Sequence, residues 1–191
     1  MYRAEAATDG ADGRRALRLG EIGGSHLVQL GVYPGGAARV AAAVRPILGE
    51  PLPESSVLAV TTSERLIMRI APDQYWVVGG ESALDTRLRS AVPADAGCVT
   101  SLDAARTRLL IEGHAARALL ARLVAIDLHP TVFPIGSFAQ TGIHHVGGLL
   151  LKVGEDRYEF FSLRTFAASI WEVLLDAARP FGYEISLLKS A

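Results

Sequence analysis

The sequence predicts an α+β fold made by duplicating a β-α-β-β-α unit, and three observations carry that prediction. Gly36-Ala37-Ala38-Arg39-Val40 opens an alanine-rich, apolar-periodic stretch, and His114-Ala115-Ala116-Arg117-Ala118 opens another after a second strand-like run. Each then leads to a hairpin. The first reads Arg65-Leu66-Ile67-Met68-Arg69-Ile70, a turn at Ala71-Pro72-Asp73-Gln74, then Tyr75-Trp76-Val77-Val78. The second reads Leu149-Leu150-Leu151-Lys152-Val153, a turn at Gly154-Glu155-Asp156-Arg157, then Tyr158-Glu159-Phe160-Phe161. A helical pattern closes each unit, over 83–92 and over 166–179. Self-similarity at so long a period marks a supersecondary unit whose copies bury faces against each other. The expected organisation is a mobile arm over 1–15, a first repeat over 16–97 and a second over 98–191, the repeats forming one compact domain.

The elements follow in order. Residues 26–33 alternate, with Val28, Leu30 and Val32 on one face, as in a half-buried strand. Pro34-Gly35-Gly36 breaks that strand and starts a helix through Leu48, with Pro46 near its end and Gly49 as its stop. Residues 50–56 carry two prolines and read as a loop. Residues 57–62 and 65–78 supply three short strands, and Pro72 presets φ at the first corner of the turn between the last two. In the second copy Thr107, Leu109 and Ile111 alternate up to Gly113, and a helix over 115–125 buries Leu119, Leu120, Leu123 and Val124. Pro130 and Pro134 make 127–136 irregular. A strand resumes over 138–143. Phe166, Ile170, Leu174 and Leu175 recur at helical spacing, with Trp171 at the stripe's edge: core if buried, an interface anchor if exposed.

Composition narrows the function classes. Half of the 191 residues are apolar and the formal net charge is −1, so no global field invites nucleic acid or an anionic membrane. The longest apolar run is far short of the roughly 20 residues a bilayer crossing needs, and the first residues lack the apolar centre of a signal peptide, so the cytoplasm is the expected compartment. Cys98 is the single cysteine, which excludes an internal disulfide and any CxxC site; its plain reading is a small buried hydrophobe.

Candidate chemistry is sparse. His144 and His145 are adjacent on an expected strand, which would point them to opposite faces and prevent joint chelation. His129 precedes Pro130 in a turn, where hydrogen bonding to the irregular backbone is the expected role. No HExxH, GxSxG or P-loop pattern is present, and Gly20, Gly23 and Gly24 lack dinucleotide-binding spacing. Ser101 and Thr107 have no partnered base within a motif. Metal ligands and catalytic or cofactor-binding residues are therefore not expected on this chain.

Residues 103–171 resemble the gamma subunit of heterotetrameric sarcosine oxidase. The matching residues are Arg106-Thr107-Arg108-Leu109, Gly113 with Ala115-Ala116-Arg117 and Leu119-Leu120, Asp127-Leu128-His129-Pro130, Phe133-Pro134-Ile135-Gly136-Ser137-Phe138-Ala139-Gln140-Thr141, and Arg164-Thr165-Phe166-Ala167 with Trp171. The first half matches more loosely, chiefly through Asp73-Gln74-Tyr75-Trp76. The resemblance implies a shrunken relative of the folate-binding aminomethyltransferase fold. It also implies an accessory role: FAD, FMN, NAD and tetrahydrofolate on partner subunits, and alpha, beta and delta subunits as partners. Folate-dependent aminomethyltransferases use an aspartate just after a Gly-Gly turn, whereas here Gly147-Gly148-Leu149-Leu150-Leu151 is apolar and no Asp or Glu lies between Leu128 and Gly154. The general base of that chemistry is missing. The other function class considered is a free-standing folate-binding protein of one-carbon metabolism.

An accessory subunit acts by burying surface, and a stable hetero-complex buries more than about 1,200 Å². The expected interface comprises Tyr75 and Trp76 at the hairpin end, Phe133 and Ile135 within the apolar Val132-Phe133-Pro134-Ile135 loop, Trp171, and the charged group Asp103, Arg106 and Arg108. That last cluster is either a patch recognising the alpha subunit or a local ion pair of little worth if exposed.

Overall fold

The computed structural model describes residues 7–9, 11, 15–24, 26–79 and 81–189. The strands are β1 (Ala7–Asp9), β2 (Leu17–Gly23), β3 (His26–Val32), β4 (Val60–Thr61), β5 (Arg65–Ala71), β6 (Gln74–Gly79), β7 (Gly97–Ser101), β8 (Arg106–Glu112), β9 (Phe138–Ile143), β10 (Val146–Gly154), β11 (Arg157–Leu163) and β12 (Gly182–Lys189). The helices are α1 (Ala37–Leu48), α2 (Leu84–Ala91), α3 (Ala116–Leu120) and α4 (Ala167–Ala178). Two compact units result: Gly24–Ala104, and the described residues up to Gly23 together with Ala105–Lys189. The expected single domain with a boundary between 97 and 98 differs from this division. The reason is strand pairing: β2 joins β8 and β12 in the second unit, and β7 pairs with β3 in the first.

In the unit over Gly24–Ala104, five antiparallel strands run in the order β4-β5-β6-β3-β7. Helix α1 buries Val40, Val44 and Leu48, spaced four apart so that they stack along one stripe. They pack with Val28, Leu30, Ile67 and Val77 from the strands and Leu84 and Leu88 from α2. Full burial of each such side chain contributes about 1.5–3 kcal/mol. Gly49 ends α1 at φ 80°, donating its N–H to the Arg45 carbonyl. That left-handed geometry costs glycine little and other residues more.

In the other unit seven strands run in the order β1-β12-β2-β8-β11-β10-β9, antiparallel except for the β12–β2 pair. Its core joins Leu17 and Leu19 of β2, Leu109 and Ile111 of β8, Tyr158 and Phe160 of β11, Leu119 and Leu120 of α3, and Ile170 and Leu174 of α4. Ala7–Asp9, expected within a mobile arm, pairs with Gly182–Glu184. The remainder of that arm lies largely outside the described residues. The expected helix over 115–125 shortens to α3, because the Arg122 and Leu123 amides bond to carbonyls three residues back and tighten the chain into turns. Those turns bring Val124 and Leu128 into the core.

Both long hairpins share one construction. The β5–β6 register slips between Arg69 and Ala71, and the β10–β11 register slips between Lys152 and Gly154. At each turn the aspartate carbonyl accepts an amide from the neighbouring strand's end: Val32 to Asp73 at 2.8 Å and Gly113 to Asp156 at 2.9 Å.

Candidate interaction surface

The residues expected at an interface divide into buried supports and exposed groups. Trp76, 6% exposed, directs Nε1 to Gln29 Oε1 at 3.1 Å, and Phe133, 7% exposed, packs in the core. Both were expected to face a partner; each instead holds up the element that carries it. Trp171 is half-buried against the same core as Phe133, and Tyr75 is half-buried beside the other. Ile135 is 52% exposed and its neighbour Val132 is 60% exposed. Buried Phe133 thus anchors a loop that presents two aliphatic side chains to solvent.

The charged cluster of Asp103, Arg106 and Arg108 disperses into separate contacts. Asp103 accepts the Leu27 amide at 2.6 Å and faces His26 Nδ1 at 2.7 Å, clamping the start of β3 to the chain after β7. Arg108 pairs with Glu159 at 2.6 Å, beneath a carboxylate whose side chain is 3% exposed. Burial lowers the pKa of Arg106. Sequence alone did not offer His26 or Glu159, since their partners lie 77 and 51 residues away.

Two grooves accompany these groups. One, of about 460 Å³, is lined by Tyr33, Pro34, Leu52, Pro53 and Tyr75. Arg69 braces it, its guanidinium donating to the Glu54 and Pro72 carbonyls at 2.9 and 2.8 Å. Cys98, expected to be buried, is exposed on the edge strand β7, with its thiol beside Tyr33. A hydrogen bond to that thiol is the main cause raising the Tyr33 pKa, followed by its charge and by burial. The other groove, of about 450 Å³, is lined by Arg122, His144, Glu172 and Asp176.

The histidines take turn positions. His144 and His145 form the β9–β10 turn rather than a strand, with φ 56° at His144 and ring centroids 4.1 Å apart. His129 Nδ1 lies 2.7 Å from Thr131 Oγ1, and the His129 carbonyl accepts the Val132 and Phe133 amides at 2.9 and 2.8 Å. This histidine shapes the loop that carries Val132 and Ile135. Among the described residues no group of three His, Cys, Asp or Glu side chains is placed to hold a metal ion. No helix among them is long and apolar enough to cross a membrane.

Comparisons with known proteins bear on these groups. The sarcosine oxidase, gamma subunit family matches residues 35–179. The chain belongs to that family. It is 28% identical over 179 residues to sarcosine oxidase subunit gamma of Corynebacterium sp. strain U-96, covering 92% of this chain and 87% of the relative. To the same subunit of Arthrobacter sp. it is 28% identical over 182 residues, covering 94% and 88%. Among solved structures, the heterotetrameric sarcosine oxidase from Corynebacterium sp. U-96 in complex with pyrrole 2-carboxylate superposes with a TM-score of 0.81 at 28% identity, over 92% of this chain and 89% of that one. Aminomethyltransferase T of the glycine cleavage system from Bartonella henselae superposes at 0.63 and 17% identity, over 92% of this chain and 48% of that one. The second likeness is one of fold: this gamma-family chain shares the mixed α/β architecture of an aminomethyltransferase.

Proposed function

We propose that this chain is the gamma subunit of a heterotetrameric, flavin-dependent sarcosine oxidase, completing an assembly around larger subunits and adding no catalytic side chain of its own. The observation that carries this reading is the match to the gamma chain of a solved heterotetramer along nine-tenths of both lengths. In this reading the partners are alpha, beta and delta subunits, which hold FAD, FMN, NAD and tetrahydrofolate, and the compartment is the cytoplasm. The complex oxidises an N-methyl amino acid and passes the carbon to tetrahydrofolate or releases it as formaldehyde. The segment from Leu128 to Gly154 supports an accessory role, since it contains no carboxylate to act as the general base of a folate enzyme. That favours the subunit over a free-standing folate-binding protein.

We further propose that the two units are copies of one ancestor. Replacing β3, β4, β5, β6 and β7 by β8, β9, β10, β11 and β12 turns one sheet order into the other, with β2 inserted between β8 and β12 and β1 added outside β12. The shared hairpin slip and the shared aspartate carbonyl contact support the same correspondence. The groups proposed to meet a partner are Tyr75, with Trp76 beneath it, on the unit over Gly24–Ala104, and Val132, Ile135 and Trp171, with Phe133 as a support, on the other unit.

Size-exclusion chromatography with a flavin absorbance trace tests the assembly. Produced alone, the chain is expected to be colourless and self-associating, because exposed apolar surface is an aggregation liability. Coexpressed with the flavin-bearing subunits, it is expected to elute with them. A well-behaved monomer that ignores the flavoprotein and binds tetrahydrofolate at micromolar concentration would contradict this function.

A further inference from the structure

Strands β7 and β12 begin alike. Each is preceded by a helix with a proline two residues beyond its end, Pro93 after α2 and Pro180 after α4, and each opens with a glycine, Gly97 and Gly182. The N–H of either glycine turns back to that connection, Gly97 to the Pro93 carbonyl at 3.1 Å and Gly182 to the Arg179 carbonyl. Beyond this point their surroundings differ. Strand β1 lies along the outer side of β12, with Ala7 opposite Glu184 and Asp9 opposite Gly182. The Ala11 amide bonds to the Pro180 carbonyl in the same register, so Gly182 and Glu184 are the residues of β12 that turn their backbone groups to β1. On β7 the bonds from the Tyr33 amide to the Ala96 carbonyl and from the Leu102 amide to the Leu27 carbonyl fix the parity. Cys98 and Thr100 face β3, and Gly97, Val99 and Ser101 face away. No strand among the described residues lies along that outward row. Strand β7 also has no lysine, proline or bulge, the usual protections of an edge, and Cys98, Thr100 and Ser101 are exposed.

We propose that the outer side of β7 receives an extended segment of a partner subunit by antiparallel strand addition over residues 97–99, as β12 receives β1 within this chain. This rests on the gamma-subunit reading and on the correspondence of the two units, and it names a surface through which the subunit role is exercised. The counterpart position shows what fits: three residues of extended backbone, running antiparallel, are held there. Backbone hydrogen bonding of this kind selects an extended polypeptide over a helix or a small molecule. Charge selects among polypeptides. Beyond one end of β7 stands Asp95, whose side chain is 74% exposed even beside Arg39, and beyond the other stands Asp103 beside His26. A second copy pairing through Gly97, Val99 and Ser101 would set Val99 against Val99 and Asp95 against Asp103 at both ends, and like charges placed opposite each other oppose pairing. A partner segment with no carboxylate at its ends meets no such conflict.

The test uses the full chain coexpressed with the flavin-bearing subunits, as the wild type, Val99→Ala and Val99→Pro. Val99 packs against the core of its unit, so both variants lose that packing, but only proline removes the outward N–H, and it leaves the β3 ladder intact. Val99→Pro should be retained in the complex at least about tenfold more weakly in apparent Kd than Val99→Ala. Hydrogen exchange of the wild type should show the Val99 amide slowed in the complex relative to the isolated chain. Equal retention of the two variants in a complex that the wild type forms, or a Val99 amide that exchanges at the same rate free and assembled, would overturn the docking edge and leave the subunit reading standing. If Val99→Pro fails to fold, the exchange of the wild type decides. A slow Val99 amide in the isolated wild type would overturn the proposed occupant, in favour of a second copy if the mass is dimeric and of a segment of this chain if it is monomeric. A wild-type chain that joins no flavoprotein would overturn both readings.

Discussion

In the five-stranded sheet Trp76 lies opposite Gln29, and its ring nitrogen donates to the glutamine oxygen. In the seven-stranded sheet the matching pair is Glu159 opposite Leu110, and the buried carboxylate is held from the side by Arg108. The backbone pairing is the same in both: Leu30↔Tyr75 and Gly31↔Gln74 correspond to Ile111↔Tyr158 and Glu112↔Arg157. Only the means of satisfying a buried polar group differs, a neutral hydrogen bond in one sheet and an ion pair in the other. The difference shows that register is carried by turns and backbone ladders, while the side chains at Trp76 and Glu159 differ, each with a polar partner of its own.

The sharpest way to break this comparison is to remove the partners. Arg108→Ala leaves the Glu159 carboxylate buried and unpaired and should cost about 3–5 kcal/mol in urea unfolding. Next in size is a steric test. A Cβ at Gly148 would lie 2.3 Å from Phe160 Cζ and 2.5 Å from the Phe161 carbonyl oxygen, whereas one at Gly147 meets nothing within 4 Å. Gly148→Ala should therefore cost about 1–3 kcal/mol, and Gly147→Ala should change stability by less than about 0.5 kcal/mol. Gln29→Ala removes one neutral hydrogen bond from Trp76 and should cost about 1 kcal/mol. Equal losses for Arg108→Ala and Gln29→Ala would remove the distinction between the two sheets.

The smallest expected effect is spectroscopic. Tyr33 titrates above its ordinary 10.0 chiefly through its hydrogen bond to Cys98. In Cys98→Ala the phenol should ionise closer to 10.0, seen as a lower midpoint in an ultraviolet pH titration. An unchanged midpoint would deny the thiol its part.

The sequence was most legible where periodicity and turn chemistry act locally. Val40, Val44 and Leu48 mark α1, and the Asp73 and Asp156 turns mark both hairpins. It was least legible where distant partners decide. Strands β2 and β12 pair across most of the chain, Leu17 with Tyr183, and neither segment was assigned an element from sequence. Helix α3 has helix-forming residues beyond Leu120, but burial of Val124 and Leu128 turns the chain instead. At the candidate interface, size and apolarity did not distinguish Phe133, a support, from Ile135, a presented group, because in an irregular loop no period says which side faces out. His26 and Glu159 were illegible for the same reason as β2: a buried or clamping role is set by Asp103 and Arg108 across the sheet.

The central claim is that this chain contributes surface and not chemistry. Rapid-reaction flavin reduction in assembled complexes carrying His129→Ala, His144→Ala or His145→Ala tests it most directly. Each variant is expected to reduce its flavin within several-fold of the unaltered complex, because these imidazoles shape turns. A fall of about 10²-fold or more in any one of them, the loss that accompanies removal of a general base, with assembly intact, would contradict the account.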